Sequence, residues 1–184
     1  SSDLETVDCN NTLSSPVYGS GATRSRTGAN SSFTNAGAID ASDNTYSMAG
    51  ATYATKTNLL VATGLGLSDS NVESINKVFL QVEASVRSTP SSGVPFDTVD
   101  DEVYLTLDGN RVGPNLAYSY RLPSADDVRV YGVSPADLGL TAAQLQGSIG
   151  AEIGYSVRPA SSSFFDPANW SVTYTSVGSG YYHD

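Results

Sequence analysis

The stretch Ile75–Arg87, INKVFLQVEASVR, decides the fold. Val78, Leu80, Val82, Ala84 and Val86 fall on one parity, and Lys77, Phe79, Gln81, Glu83, Ser85 and Arg87 on the other. A period of two sustained over about ten residues describes a strand with one face in a core and one near water. Phe79 stands out on the water-facing parity, and an outward Phe points to a second covered surface.

The alternation returns downstream. In Asp101–Leu107 it sets Val103, Leu105 and Leu107 against Glu102, Tyr104 and Thr106; Ile149–Val157 and Trp170–Tyr174 repeat it. Lys56–Leu67 reads as a further strand, with Leu59, Val61 and Thr63 on one parity and a bend or bulge at Gly64 and Gly66. Asp108-Gly109-Asn110 is a tight-turn signal, so a hairpin is expected from Asp101–Leu107 into Arg111–Tyr120. Val128–Tyr131 is a short strand candidate. Ser134–Gln146 is the single helical candidate, with Thr141 placed to cap Ala142–Leu145. Strand–helix alternation is absent, which argues against a parallel α/β sheet. The expected fold is all-β: an antiparallel β-sandwich, jelly-roll-like, with one short helix and an extended N-terminal arm.

A length of 184 residues suits one domain with an arm. Residues 1–30 carry few large apolar side chains and no periodicity, so they read as an arm; Leu4, Val7, Leu13, Val17 and Tyr18 are its candidate anchors on a neighbour. The sandwich is expected over residues 31–176 and a short exposed tail over 177–184. Cys9 is the single cysteine, so a disulfide would have to be interchain; an inert thiol is the plainer alternative. No apolar run is long enough to span a membrane as a helix.

The chain carries 19 Asp and Glu against 9 Lys and Arg. A net charge of −10 argues against nucleic acid as a partner, because that affinity rests on neutralising phosphates. The single histidine, His183, sits near the end of the sequence, a poor place for an oriented general base. Nucleophile–histidine chemistry and zinc ligation both lack their residues. Carboxylates remain. Asp97, Asp100, Asp101 and Glu102 cluster at the start of a strand, and three readings compete: a solvated loop, a calcium site, and a glycosidase acid pair. No cofactor other than calcium is indicated. Eleven tyrosines offer core packing, protein interfaces or platforms for sugar rings. Three Asn-x-Ser/Thr triplets, at Asn10, Asn30 and Asn169, match a short pattern common by chance in such a composition.

Several segments together resemble a β-sandwich module common in phage virion proteins and bacterial surface proteins. They are Asn35, Ala36 and Asp40; then Thr63-Gly64-Leu65-Gly66; then Ile75, Val78, Leu80 and Val82; then Tyr131-Gly132 with Leu138 to Leu145; and a closing strand at Trp170–Tyr174. The resemblance spans about residues 32–176 and implies a non-enzymatic structural subunit that assembles in many copies, such as a capsid-decorating or tail component of a virion. Two alternatives stand beside it. One is an extracellular filament subunit whose arm completes a neighbour's sheet by strand addition. The other is a carbohydrate-binding surface module. Expected partners are copies of the chain or other structural subunits, or a glycan; the expected location is the virion, or alternatively the cell surface.

Overall fold

The computed structural model describes residues 17–41, 45–51, 56–66, 75–88, 96–119, 121–123, 125, 127–159 and 170–183. Twelve strands form among them: β1 (Val17–Tyr18), β2 (Ser20–Arg24), β3 (Ala29–Ser31), β4 (Ser47–Ala51), β5 (Lys56–Thr57), β6 (Leu59–Thr63), β7 (Ile75–Ser88), β8 (Phe96–Leu107), β9 (Asn110–Val112), β10 (Asp127–Val133), β11 (Ile149–Pro159) and β12 (Trp170–His183). They make two sheets. The five-stranded sheet runs β1-β12-β7-β10, with β4 also on β12; the seven-stranded sheet is built on β11, which β8 flanks on one side and β6 and β5 on the other. All pairs are antiparallel except β3 with β5. The architecture is an antiparallel β-sandwich, two sheets on one core, the class that the alternation predicts.

The inward parity of β7 behaves as its spacing dictates: Val78, Leu80, Val82 and Ala84 are fully buried. They meet Leu60, Ala62, Val103, Leu105, Ala151 and Ile153 from the facing sheet in one cluster. Truncating a core side chain such as Leu80 to Ala removes about 2–5 kcal/mol. In β6 the core parity is that of Leu60 and Ala62, the one opposite to Leu59, Val61 and Thr63.

The helical candidate resolves into two single turns, α1 (Pro135–Leu138) and α2 (Ala142–Leu145). Gly139, at φ 69°, ends the first. Thr141 caps the second through a reciprocal pair with Gln144, two orphan donors satisfied at once. A 3-10 turn spans Ala36–Asp40, entered through Asn35 at φ 53°.

Two boundaries differ from expectation. Residues 17–30, read from the sequence as arm, form β1, β2 and the start of β3 in the chain's own sheets; β2 pairs with β6 from Ser20 to Arg24. Their low apolar content reflects edge positions, where hydrogen bonds rather than buried side chains fix a strand. Residues 177–183, read as an exposed tail, continue β12 against β7 as far as His183 opposite Ile75. Leu4, Val7, Cys9 and Leu13 lie outside the described residues.

Candidate functional site

The two outer faces of the sandwich differ in chemistry. The seven-stranded face is charged. Its organiser is Arg26, carried by the turn between β2 and β3, where Gly28 takes φ 82°. The guanidinium donates to both carboxylate oxygens of Asp101 at 3.0 Å, to Glu102 at 2.7 Å, and to the carbonyls of Thr57 at 2.6 Å and Tyr155 at 2.9 Å. It lies flat against Gly154, whose missing Cβ would sit 2.6 Å from the guanidinium carbon.

A β-bulge makes this arrangement. Strict alternation through Val103 and Leu105 would turn Asp101 into the core. The register of β8 on β11 shifts between Gly154 and Tyr155, so that Glu102 opposes Gly154 while Asp100 opposes Tyr155. Asp101 is the extra residue, and it joins Glu102 on the outer face. Asn115 serves the bulge, donating to the Asp101 carbonyl at 2.8 Å and accepting from the Val103 N–H at 2.9 Å.

Beside Arg26, Glu152 on β11 accepts hydrogen bonds from Arg24 and from Arg111, the latter at 2.7 Å. Arg111 also reaches Glu102 at 3.4 Å and lies over the Tyr104 ring at 4.2 Å. Lys56 stands 3.7 Å from Asp101. Arg24, Arg26, Lys56, Glu102, Arg111 and Glu152 line an open cleft of about 410 Å³. Burial by itself pushes the Glu102 carboxyl up, but hydrogen bonds and charge from Arg26 and Arg111 outweigh it and hold the group below its usual 4.5.

Asp100 faces the other way. Fully buried between the sheets, it accepts from the Tyr131 hydroxyl at 2.9 Å and the Tyr118 N–H at 2.8 Å. Burial, reinforced by Asp100, holds the Tyr131 hydroxyl protonated far above its usual range, and burial does the same at Tyr155. Asp97 pairs with Arg121 at 3.7 Å. Asp97, Asp100, Asp101 and Glu102 therefore do not converge: one points into the sandwich, and two point out of it into guanidinium forks. Among the described residues no group of three or more His, Cys, Asp or Glu is arranged to hold a metal ion.

The five-stranded face is mixed: exposed Lys77 and half-buried Gln81 and Glu83 of β7 share it, with Gln81 and Glu83 directly opposite Val130 and Val128. Val128 and Val130 on β10, Met48 on β4 and Tyr18 on β1 are exposed there. The fifth large exposed apolar side chain among the described residues, Tyr118, stacks on Tyr131 at 5.1 Å, beside the edge strand β10. Phe79 lies on this face, half-buried. A Cβ on its cross-strand neighbour Gly132 would come within 3.1 Å of its ring, and Lys77 lies 5.8 Å from the ring centroid. An aromatic covering a cross-strand glycine gives Phe79 a use within its own chain. Val17 and Tyr18 pair with β12 of the same chain. The sequence marked Tyr18 and Phe79 but missed Met48, Val128 and Val130. The signal for the valines was the alternation in Asp127–Val133, where Val128 and Val130 share the parity of Gly132 rather than of the buried Tyr131.

No family model matches the sequence, and no curated protein does. Among solved structures, a carbohydrate-binding module, CBM4, aligns over 77% of this chain and 87% of its own at TM-score 0.41 and 14% identity. The structure of infectious bursal disease virus Gx strain aligns over 94% of this chain at TM-score 0.35 and 9% identity; the alignment spans 32% of the viral chain. Both are β-sandwich proteins.

Proposed function

We propose that this chain is a non-enzymatic structural subunit that assembles in many copies, as virion subunits do. The observation that carries the reading is the distribution of exposed apolar side chains. Tyr18, Met48, Val128 and Val130 share one sheet face, and Tyr118 borders it, whereas the opposite face is built of ion pairs. Val128 and Val130 stand side by side on the edge strand β10 with Tyr118 beside them, and apolar side chains grouped at a sheet edge mark an interface. The occupant that fits is a second copy presenting the same face. Among the described strands β10 is the last of its sheet, and edge strands are surfaces that soluble proteins otherwise guard. The resemblance to virion and surface sandwich modules points the same way.

The test is sedimentation of the wild-type chain against a Val128→Lys/Val130→Lys variant. Both valines are solvent-exposed, so the variant folds. The wild type is expected to self-associate with rising concentration and the variant to remain monomeric. A wild-type chain that stays monomeric at every concentration overturns the reading, as does a variant that associates equally well.

A further inference from the structure

The charged cleft of the seven-stranded face has a property that the sheet itself does not require. Arg26, 9% exposed, lies at its floor among the carboxylates, and the three other cations, each paired to one of those carboxylates, stand higher. The side chains of Glu152, Asp101 and Glu102 are 1%, 19% and 29% exposed, whereas those of Arg24, Lys56 and Arg111 are 51%, 48% and 37% exposed. With Arg26, four of the chain's nine Lys and Arg gather here with only three of its nineteen Asp and Glu. The remainder carries five cations against sixteen acids, so the mouth of this cleft is a positive spot on a strongly negative protein.

Residues 1–16 have the complementary chemistry: Asp3, Glu5 and Asp8, and no Lys or Arg. We infer that the cleft is a carboxylate-binding site whose occupant is the acidic segment Asp3–Asp8 of a second copy. Bound extended, that segment sets Asp3 and Glu5 on one side about 6.6 Å apart, a spacing that lets each meet a different cation head. The neighbour's segment is taken as the occupant from the assembly reading and from its charge. The chain passes between the sheets within Val17 to Arg24, so its own segment is the competing occupant, and the size distribution of the substituted chain separates the two.

The inference rests on the assembly reading and adds a second contact to it. Pairing of two identical faces is isologous and closes at two copies, whereas a segment held in a neighbour's cleft is heterologous and continues. Dimers through one face and segment exchange through the other give assemblies of many copies.

Two measurements on the full chain test it. First, a peptide of residues 1–12 carrying Cys9→Ser is titrated into the protein at low and high salt. Saturable binding that weakens with salt is expected, together with loss of about fivefold in affinity for Lys56→Gln, the effect of one exposed charge partner. No binding, or equal binding of a peptide with Asp3→Asn, Glu5→Gln and Asp8→Asn, overturns the inference. Second, the full chain carrying those three substitutions is sedimented beside the wild type. Loss of species larger than the dimer, with the dimer retained, supports it; an unchanged size distribution overturns it. Because the peptide titration does not depend on the five-stranded face, a chain that never associates yet binds the peptide refutes both the assembly reading and the second-copy occupant, and leaves only the cleft's affinity for carboxylates.

Discussion

At the scale of single residues, Arg26 illustrates how one side chain ties distant segments. Its guanidinium joins the turn after β2 to β5 through the Thr57 carbonyl, to β8 through Asp101 and Glu102, and to β11 through the Tyr155 carbonyl. Only a planar fork with five donors meets that set, so Lys is no substitute. Removing one partner of such a buried network costs more than the network contributes net, because the groups left behind are desolvated and unpaired. The same arrangement makes stability depend on pH in a definite direction. Glu102 is held below its ordinary 4.5, so in acid the folded chain binds fewer protons at this site than the unfolded chain does. Its stabilisation is complete above about pH 4.5 and fades as pH falls through the lowered folded value. Urea midpoints measured at pH 7 and across the acid range are expected to fall below pH 4.5. Glu102→Gln should be less stable at pH 7 and show a shallower acid decline. An identical decline in the variant would place the acid sensitivity elsewhere.

At the scale of elements, the β8–β9 hairpin is set by two residues. Asp108 and Gly109 have φ of 51° and 81°, the left-handed pair that a two-residue turn between twisted strands demands. A Cβ on Gly109 would meet nothing within 4 Å, so Gly109→Ala isolates the backbone term. The expected loss is about 1 kcal/mol, read as a lowered denaturant midpoint with unchanged m. This turn was legible because its signal is local, and so was the core face of β7, because period two is local. What the sequence concealed required knowledge of a partner strand. The inward turn of Asp100 depends on a bulge opposite Gly154 and Tyr155, roughly fifty residues away, and alternation alone places Asp101 in the core. Four acids within six residues suggested a shared ligand, yet the strand and its bulge turn Asp100 inward and Asp101 and Glu102 outward onto Arg26. The long reach of β12 was hidden for a related reason. Gly178 and Gly180 read as tail punctuation, but they face Gln81 and Phe79 of β7 in register.

At the scale of the whole molecule, the sandwich is polarised and residues 17–31 bind its two halves. Within eight residues, Val17 to Arg24, the chain passes from the five-stranded to the seven-stranded sheet, and the next turn delivers Arg26 to the bulge. The unit that folds thus includes the segment whose composition resembles a dispensable arm. Deleting residues 1–16 leaves every described strand in place and is expected to preserve a single cooperative unfolding transition near the wild-type midpoint. Deleting residues 1–28 removes β1, β2, Arg24 and Arg26 together. It strips β6 of its β2 partner and leaves Asp101, Glu102 and Glu152 with Lys56 and Arg111 as their remaining cations. Breaking one buried pair costs about 3–5 kcal/mol, and a small domain has about 5–15 kcal/mol in all, so losing several at once should abolish cooperative folding. Far-UV circular dichroism through a thermal ramp distinguishes the two deletions. A cooperative transition in the longer deletion would show that the sandwich is complete from residue 29 and that Arg26 decorates it rather than closing it.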